Sequence, residues 1–68
     1  MKLVFQNAKG KKKTIANVDS KEQAHAEILK FCEDRNYTVY IMRLREKNDI
    51  IYYDVGSWHE FFLLYLNE

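Results

Sequence analysis

An α+β domain is the fold this sequence predicts: an antiparallel sheet of four or five strands with one long helix packed on one face, in the order ββαββ and then a strand or a short helix. Two observations carry that expectation. The stretch from Ser20 to Arg35 repeats its apolar residues at helical spacing. On either side of it lie short alternating or β-branched runs punctuated by turn residues, the pattern of hairpins. The chain has 68 residues, 47% of them hydrophobic. That length holds one core, so residues 1–68 are read as a single domain.

Lys2-Leu3-Val4-Phe5-Gln6 alternates as a strand, and Asn7-Ala8-Lys9-Gly10 supplies turn chemistry because glycine takes the positive φ of a tight turn. The return strand is expected from Lys12 to Val18. A two-residue Lys9-Gly10 loop sets Leu3, Phe5, Thr14 and Ala16 on the core face, with Val4 and Ile15 on the other. Asp19 or Ser20 can then cap the helix, and Ser20-x-x-Gln23 has the spacing of a capping box in which two side chains satisfy orphan N–H groups. Ala24, Ile28, Phe31 and Cys32 form the apolar stripe. Asn36, tolerant of the left-handed conformation, ends the helix before a β-branched and aromatic stretch.

Tyr37 to Arg45 and Ile50 to Val55 form the second predicted hairpin, across Glu46-Lys47-Asn48-Asp49. One face carries Tyr40, Met42, Leu44, Ile51, Tyr53 and Val55. The other carries Val39, Ile41, Arg43, Arg45, Ile50, Tyr52 and Asp54, with Arg43 opposite Asp54 if the loop has two residues. The last segment stays open. Ser57-x-x-Glu60 fits a second capping box, whereas Phe61 to Leu66 is an unbroken apolar run without a polar face, suited to a strand buried on both sides.

Composition narrows function by exclusion. Eleven basic and ten acidic side chains give a net charge of +1, which excludes a strongly basic nucleic-acid binder and an acidic mimic of DNA. A lone cysteine cannot make an internal disulfide, and with no leader-like start the chain reads as cytoplasmic. The longest apolar run is far short of the roughly 20 residues that cross a bilayer, so no membrane role is expected.

The stretch Tyr53-Asp54-Val55-Gly56-Ser57-Trp58-His59-Glu60-Phe61-Phe62 resembles the closing motif of small uncharacterised proteins encoded by phages and prophages of Gram-positive bacteria. Those proteins end in an aromatic–Asp–hydrophobic–Gly–Ser–His/Trp turn, then Phe-Phe and a short apolar tail. The resemblance covers about the last fifth of the chain. It implies a host bacterial cytosol and a small accessory factor, and no chemistry.

Candidate reactive groups each have a plainer account. Cys32 sits in the helix stripe, where a buried thiol is ordinary filling. His25 lies at the edge of the same stripe. His59 with Asp54 and Glu60 is a local titratable cluster, but a turn with one histidine and two carboxylates makes a poor metal site. Phosphate loops, nucleophile elbows and Cys-x-x-Cys pairs are missing, so no enzyme, cofactor or metal is expected.

Two binding surfaces follow instead. One helix cannot cover both faces of a sheet, so one face should expose apolar residues. Val39, Ile41, Arg43, Arg45, Ile50 and Tyr52, with Trp58 and His59 of the turn, are the expected protein-binding surface, for a second copy of the chain or for an unidentified host or phage protein. The alternative is weak binding of single-stranded nucleic acid by Lys9, Lys11, Lys12 and Lys13 of the first hairpin together with Arg43, Arg45 and Tyr52, where arginines and an aromatic ring share a sheet face.

Overall fold

The structure, a computed structural model, describes residues 1–39, 42–56 and 59–68. Five strands and one helix occur in the order β1 (Lys2–Gln6), β2 (Lys12–Asn17), α1 (Lys21–Asp34), β3 (Arg43–Lys47), β4 (Ile50–Asp54) and β5 (Phe61–Tyr65). The expected α+β class and the order ββαββ then strand are both found. The strands form one sheet in the spatial order β2-β1-β5-β4-β3, every pairing antiparallel. The tail is therefore a strand, and it is the middle strand of the sheet. Its apolar run is buried on both sides, with Phe62 and Leu64 facing the helix and Leu63 facing away.

The first hairpin turns through three residues rather than two. Asn7 N–H donates to the Lys11 carbonyl and Gly10 N–H to the Asn7 carbonyl, both at 2.9 Å, while Gly10 takes φ 81°. Asn7 Oδ1 also accepts from the N–H groups of Lys9 and Lys11. This is the three-residue connection in which a turn is followed by a left-handed glycine. The longer loop slides the register, so Phe5 faces Lys13 and Val4 faces Thr14, and Thr14 lies on the opposite face from that expected. An irregularity between Leu3 and Val4 then restores the expected Leu3–Ala16 pair. As a result Ile15 and Ala16 both pack against the core.

Helix α1 begins at Ser20, with the reciprocal bond of the expected capping box shifted back by one residue to Asp19. Ser20 Oγ accepts from Gln23 N–H at 3.1 Å, and Gln23 Oε1 accepts from Asp19 N–H at 2.6 Å. It ends in a Schellman closure: Asn36 is left-handed at φ 58°, its N–H donates to Glu33 O, and Tyr37 N–H donates to Cys32 O at 2.8 Å. The Tyr37 ring then stands 6.4 Å from Phe31, the apolar contact that accompanies such an end.

Strand β3 is shorter than expected. Residues 37–39 are not strand, and Tyr40 and Ile41 lie outside the described residues. Asn48 and Asp49 both take positive φ, 54° and 61°, and close a two-residue hairpin that sets Arg43 opposite Asp54. The helix covers β1, β5 and β4 with Leu3, Phe5, Ile28, Cys32, Ile51, Tyr53, Phe62 and Leu64 in the core. A helix about 10 Å wide spans two or three strands spaced about 4.8 Å, so an edge of a five-stranded sheet projects beyond it. Leu44 on β3 pays no part in the core for that reason: it faces the helix side and is 55% exposed.

Candidate functional site

The face of the sheet away from α1 can be read from the register as three rows. Lys12, Gln6, Phe61, Asp54 and Arg43 form the first; Thr14, Val4, Leu63, Tyr52 and Arg45 the second; Asn17, Lys2, Tyr65, Ile50 and Lys47 the third. Each row runs from edge strand β2 to edge strand β3. The three inner strands hold Val4, Ile50, Tyr52, Phe61, Leu63 and Tyr65 with Lys2, Gln6 and Asp54 among them; the β3 border is wholly cationic, whereas the β2 border reads Lys12, Thr14 and Asn17.

This face is less exposed than the sequence suggested. Val4 and Leu63, at its centre, are each 3% exposed, and Ile50, Tyr52, Phe61 and Tyr65 are half-buried. Large side chains lying along a twisted sheet screen one another, so the apolar centre is not left bare in water. Val39 is not on this face; it packs against the core under the helix. Ile41 and Trp58 fall outside the described residues. His59 is exposed and lines a different groove. Of the expected protein-binding set, the structure brings together Arg43, Arg45, Ile50 and Tyr52.

The expected nucleic-acid set is also redistributed. Lys12 reaches the open face, but Lys9 and Lys11 belong to the turn and Lys13 pairs with Phe5 on the helix side. The lysine-rich hairpin and the arginine strand are opposite edges of the sheet, four strand spacings or roughly 19 Å apart. Phe61, Tyr65, Gln6 and Lys47 were missed. Once the tail is known to be a strand, Phe61 and Tyr65 share a face by alternation, yet a run apolar throughout does not say which face.

The charges on this face differ in engagement. Lys2 Nζ bonds Glu68 at 2.8 Å, which raises its ammonium above the ordinary lysine value, and it stands 5.1 Å from the Tyr65 ring centre. Lys12 Nζ is 3.4 Å from Tyr65 Oη. Arg45 lies over Tyr52, 5.4 Å from the ring centre. Asp54 sits opposite Arg43 without forming an ion pair; its Oδ1 accepts Gly56 N–H at 2.9 Å and so holds the turn after β4. Among the described residues Arg43, Arg45 and Lys47 form no ion pair.

A groove of about 630 Å³ lies along β4 and β3, lined by Gln6, Arg43, Arg45, Tyr52, Asp54, Phe61 and Leu63 of this face and also touched by Leu44, which belongs to the helix side. One bank is cationic and the other aromatic. The charge of the molecule is polarised accordingly: the three rows hold Lys2, Lys12, Arg43, Arg45 and Lys47 against the single carboxylate of Asp54, while the helix carries Glu22, Glu27, Glu33 and Asp34 against Lys21 and Lys30. A near-neutral chain thus presents one basic face.

A second groove, of about 620 Å³, runs past the end of α1 between Phe5, Tyr37, Val55, His59, Glu60 and Phe62. Its rings belong to a cluster in which Phe5, Phe31 and Phe62 lie 4.8 to 5.5 Å apart. Cys32 is buried beneath, its thiol pushed up by burial and, less, by Glu60. Among the described residues no group of three His, Cys, Asp or Glu side chains is placed to hold a metal ion, and no helix is long and apolar enough to cross a membrane.

No family model, curated protein or solved structure matches this chain.

Proposed function

We propose that the protein is a non-enzymatic binding module that takes single-stranded nucleic acid on its open sheet face. The observation that carries this reading is the pairing, across the groove over β4, of the cations Arg43 and Arg45 with the rings of Tyr52 and Phe61. Phosphates need the first and unstacked bases the second, and the two stand side by side on a rigid sheet. Stacking a base on an aromatic ring is worth about 1–3 kcal/mol. Lifting Arg45 off Tyr52 costs about 0.5–1 kcal/mol at such an exposed site, and the freed guanidinium can then meet a phosphate.

A second copy fits this face less well. Two-fold antiparallel pairing of the β3 edges sets Arg43, Arg45 and Lys47 of one copy against the same cations of the other, and like charges in register repel. A strand edge reading Arg-Leu-Arg-Glu-Lys also has the charge that discourages edge-to-edge addition.

The test is fluorescence anisotropy of a labelled oligo(dT) strand at about 50 and 200 mM salt, with the matching duplex beside it. Micromolar binding of the single strand that weakens with salt, and a loss of about tenfold or more in Phe61→Ala or Tyr52→Ala, is the expected result. No binding of either strand at low salt removes the reading and returns this face to a protein partner.

A further inference from the structure

Resting on that reading, we propose that the bound strand runs along β3, one phosphate to each of Arg43, Arg45 and Lys47, and lays three successive bases across β4 toward Phe61, Tyr52 and Tyr65. Each row of the face supplies one cation on β3 and one aromatic ring further in: Arg43 with Phe61, Arg45 with Tyr52, Lys47 with Tyr65. The rows repeat every second residue, about 6.7 Å along the strand. Consecutive backbone phosphates can follow that repeat, one to a row, and the ring in each row offers a platform for a base turned out of the stack.

Two observations choose β3 over the opposite border. The groove is walled by Arg43 and Arg45 and by no residue of β2. Of the cations toward β2, Lys2 is bonded to Glu68 at 2.8 Å and Lys12 to the Tyr65 hydroxyl at 3.4 Å, and a base that takes the Tyr65 ring first displaces Lys2, which stands 5.1 Å from its centre. Arg43 is spared the same fate because Asp54, its cross-strand neighbour, is turned to Gly56 N–H. The path also predicts weaker binding of a duplex, since paired bases cannot splay onto three rings.

The experiment measures binding of 5′-phosphorylated oligo(dT) of increasing length, and the slope of log K against log salt for the chain and for Arg43→Gln, Arg45→Gln, Lys47→Gln, Lys2→Gln and Lys12→Gln. All five positions lie at the rim of the sheet, and an unchanged helix signal by circular dichroism confirms folding. Affinity should climb with each nucleotide up to three and then level. The slope should be close to about −2, and each β3 substitution should remove about 0.7 of it while Lys2→Gln and Lys12→Gln leave it unchanged. Binding whose slope follows Lys2 and Lys12 overturns this path and leaves the single-strand reading standing. Failure of every length to bind overturns both.

Discussion

Replacing Tyr53 by phenylalanine should make the protein more stable. Tyr53 is 1% exposed in the core under α1, and its hydroxyl has no hydrogen-bond partner among the described residues. An unpaired buried hydroxyl costs about 1–3 kcal/mol relative to water, and phenylalanine keeps the ring contacts while removing that group. Allowing for the small void left by the oxygen, a gain of about 1 kcal/mol is expected, or roughly 4–8 °C in Tm for a domain of this size. Thermal denaturation followed by circular dichroism reads it directly. The same burial, with a smaller contribution from Glu22, raises the phenol above its ordinary value of 10.0. Only the unfolded chain then ionises readily, so stability present below about pH 10 falls as pH rises further, and Tyr53→Phe should lose that part of the alkaline decline. A Tyr53→Phe protein less stable than the parent by about 1 kcal/mol or more would mean that the hydroxyl is satisfied and the reasoning wrong.

Asn36 holds φ 58° at the helix end, so Asn36→Gly should be neutral or slightly stabilising in urea denaturation, whereas Asn36→Ala should cost about 1 kcal/mol. Cys32, buried with its thiol pushed above 9.0, should react with an aromatic disulfide reagent only as fast as the core opens, and at once in denaturant; fast labelling of the folded chain would contradict its burial. Leu44→Lys, at an exposed position beyond the cover of the helix, should change stability by less than about 0.5 kcal/mol, since it removes no core contact; a larger loss would place that residue inside the core.

Local signals were legible and non-local ones were not. Ser20, Gln23 and Asn36 marked both ends of α1 because caps act within a few residues. The facing of the second hairpin was also readable, since turns of two or four residues give the same faces; the Arg43–Asp54 register follows only from the two-residue turn that the structure shows. Asn7 and Gly10 stand three apart, the spacing of a turn closed by a left-handed glycine, and that signal was available for the first hairpin too. The position of β5 was not readable. A strand with no polar side carries no label for either face, and its neighbours β1 and β4 are chosen by tertiary packing. For the same reason half of the candidate site stayed hidden: Arg43, Arg45, Ile50 and Tyr52 come from one hairpin, while Phe61 and Tyr65 arrive only with the middle strand. The lysine-rich hairpin misled because sequence does not tell which edge of a sheet a strand will take.

The most direct test is a nitrogen-15 amide spectrum of the full chain titrated with oligo(dT). Resonances of Arg43, Arg45, Tyr52, Phe61, Leu63 and Tyr65 should move together and saturate, with α1 unaffected. Shifts confined to the helix or to residues 37–39, or a spectrum that stays unchanged, would contradict an aromatic and cationic sheet face built to hold a single strand.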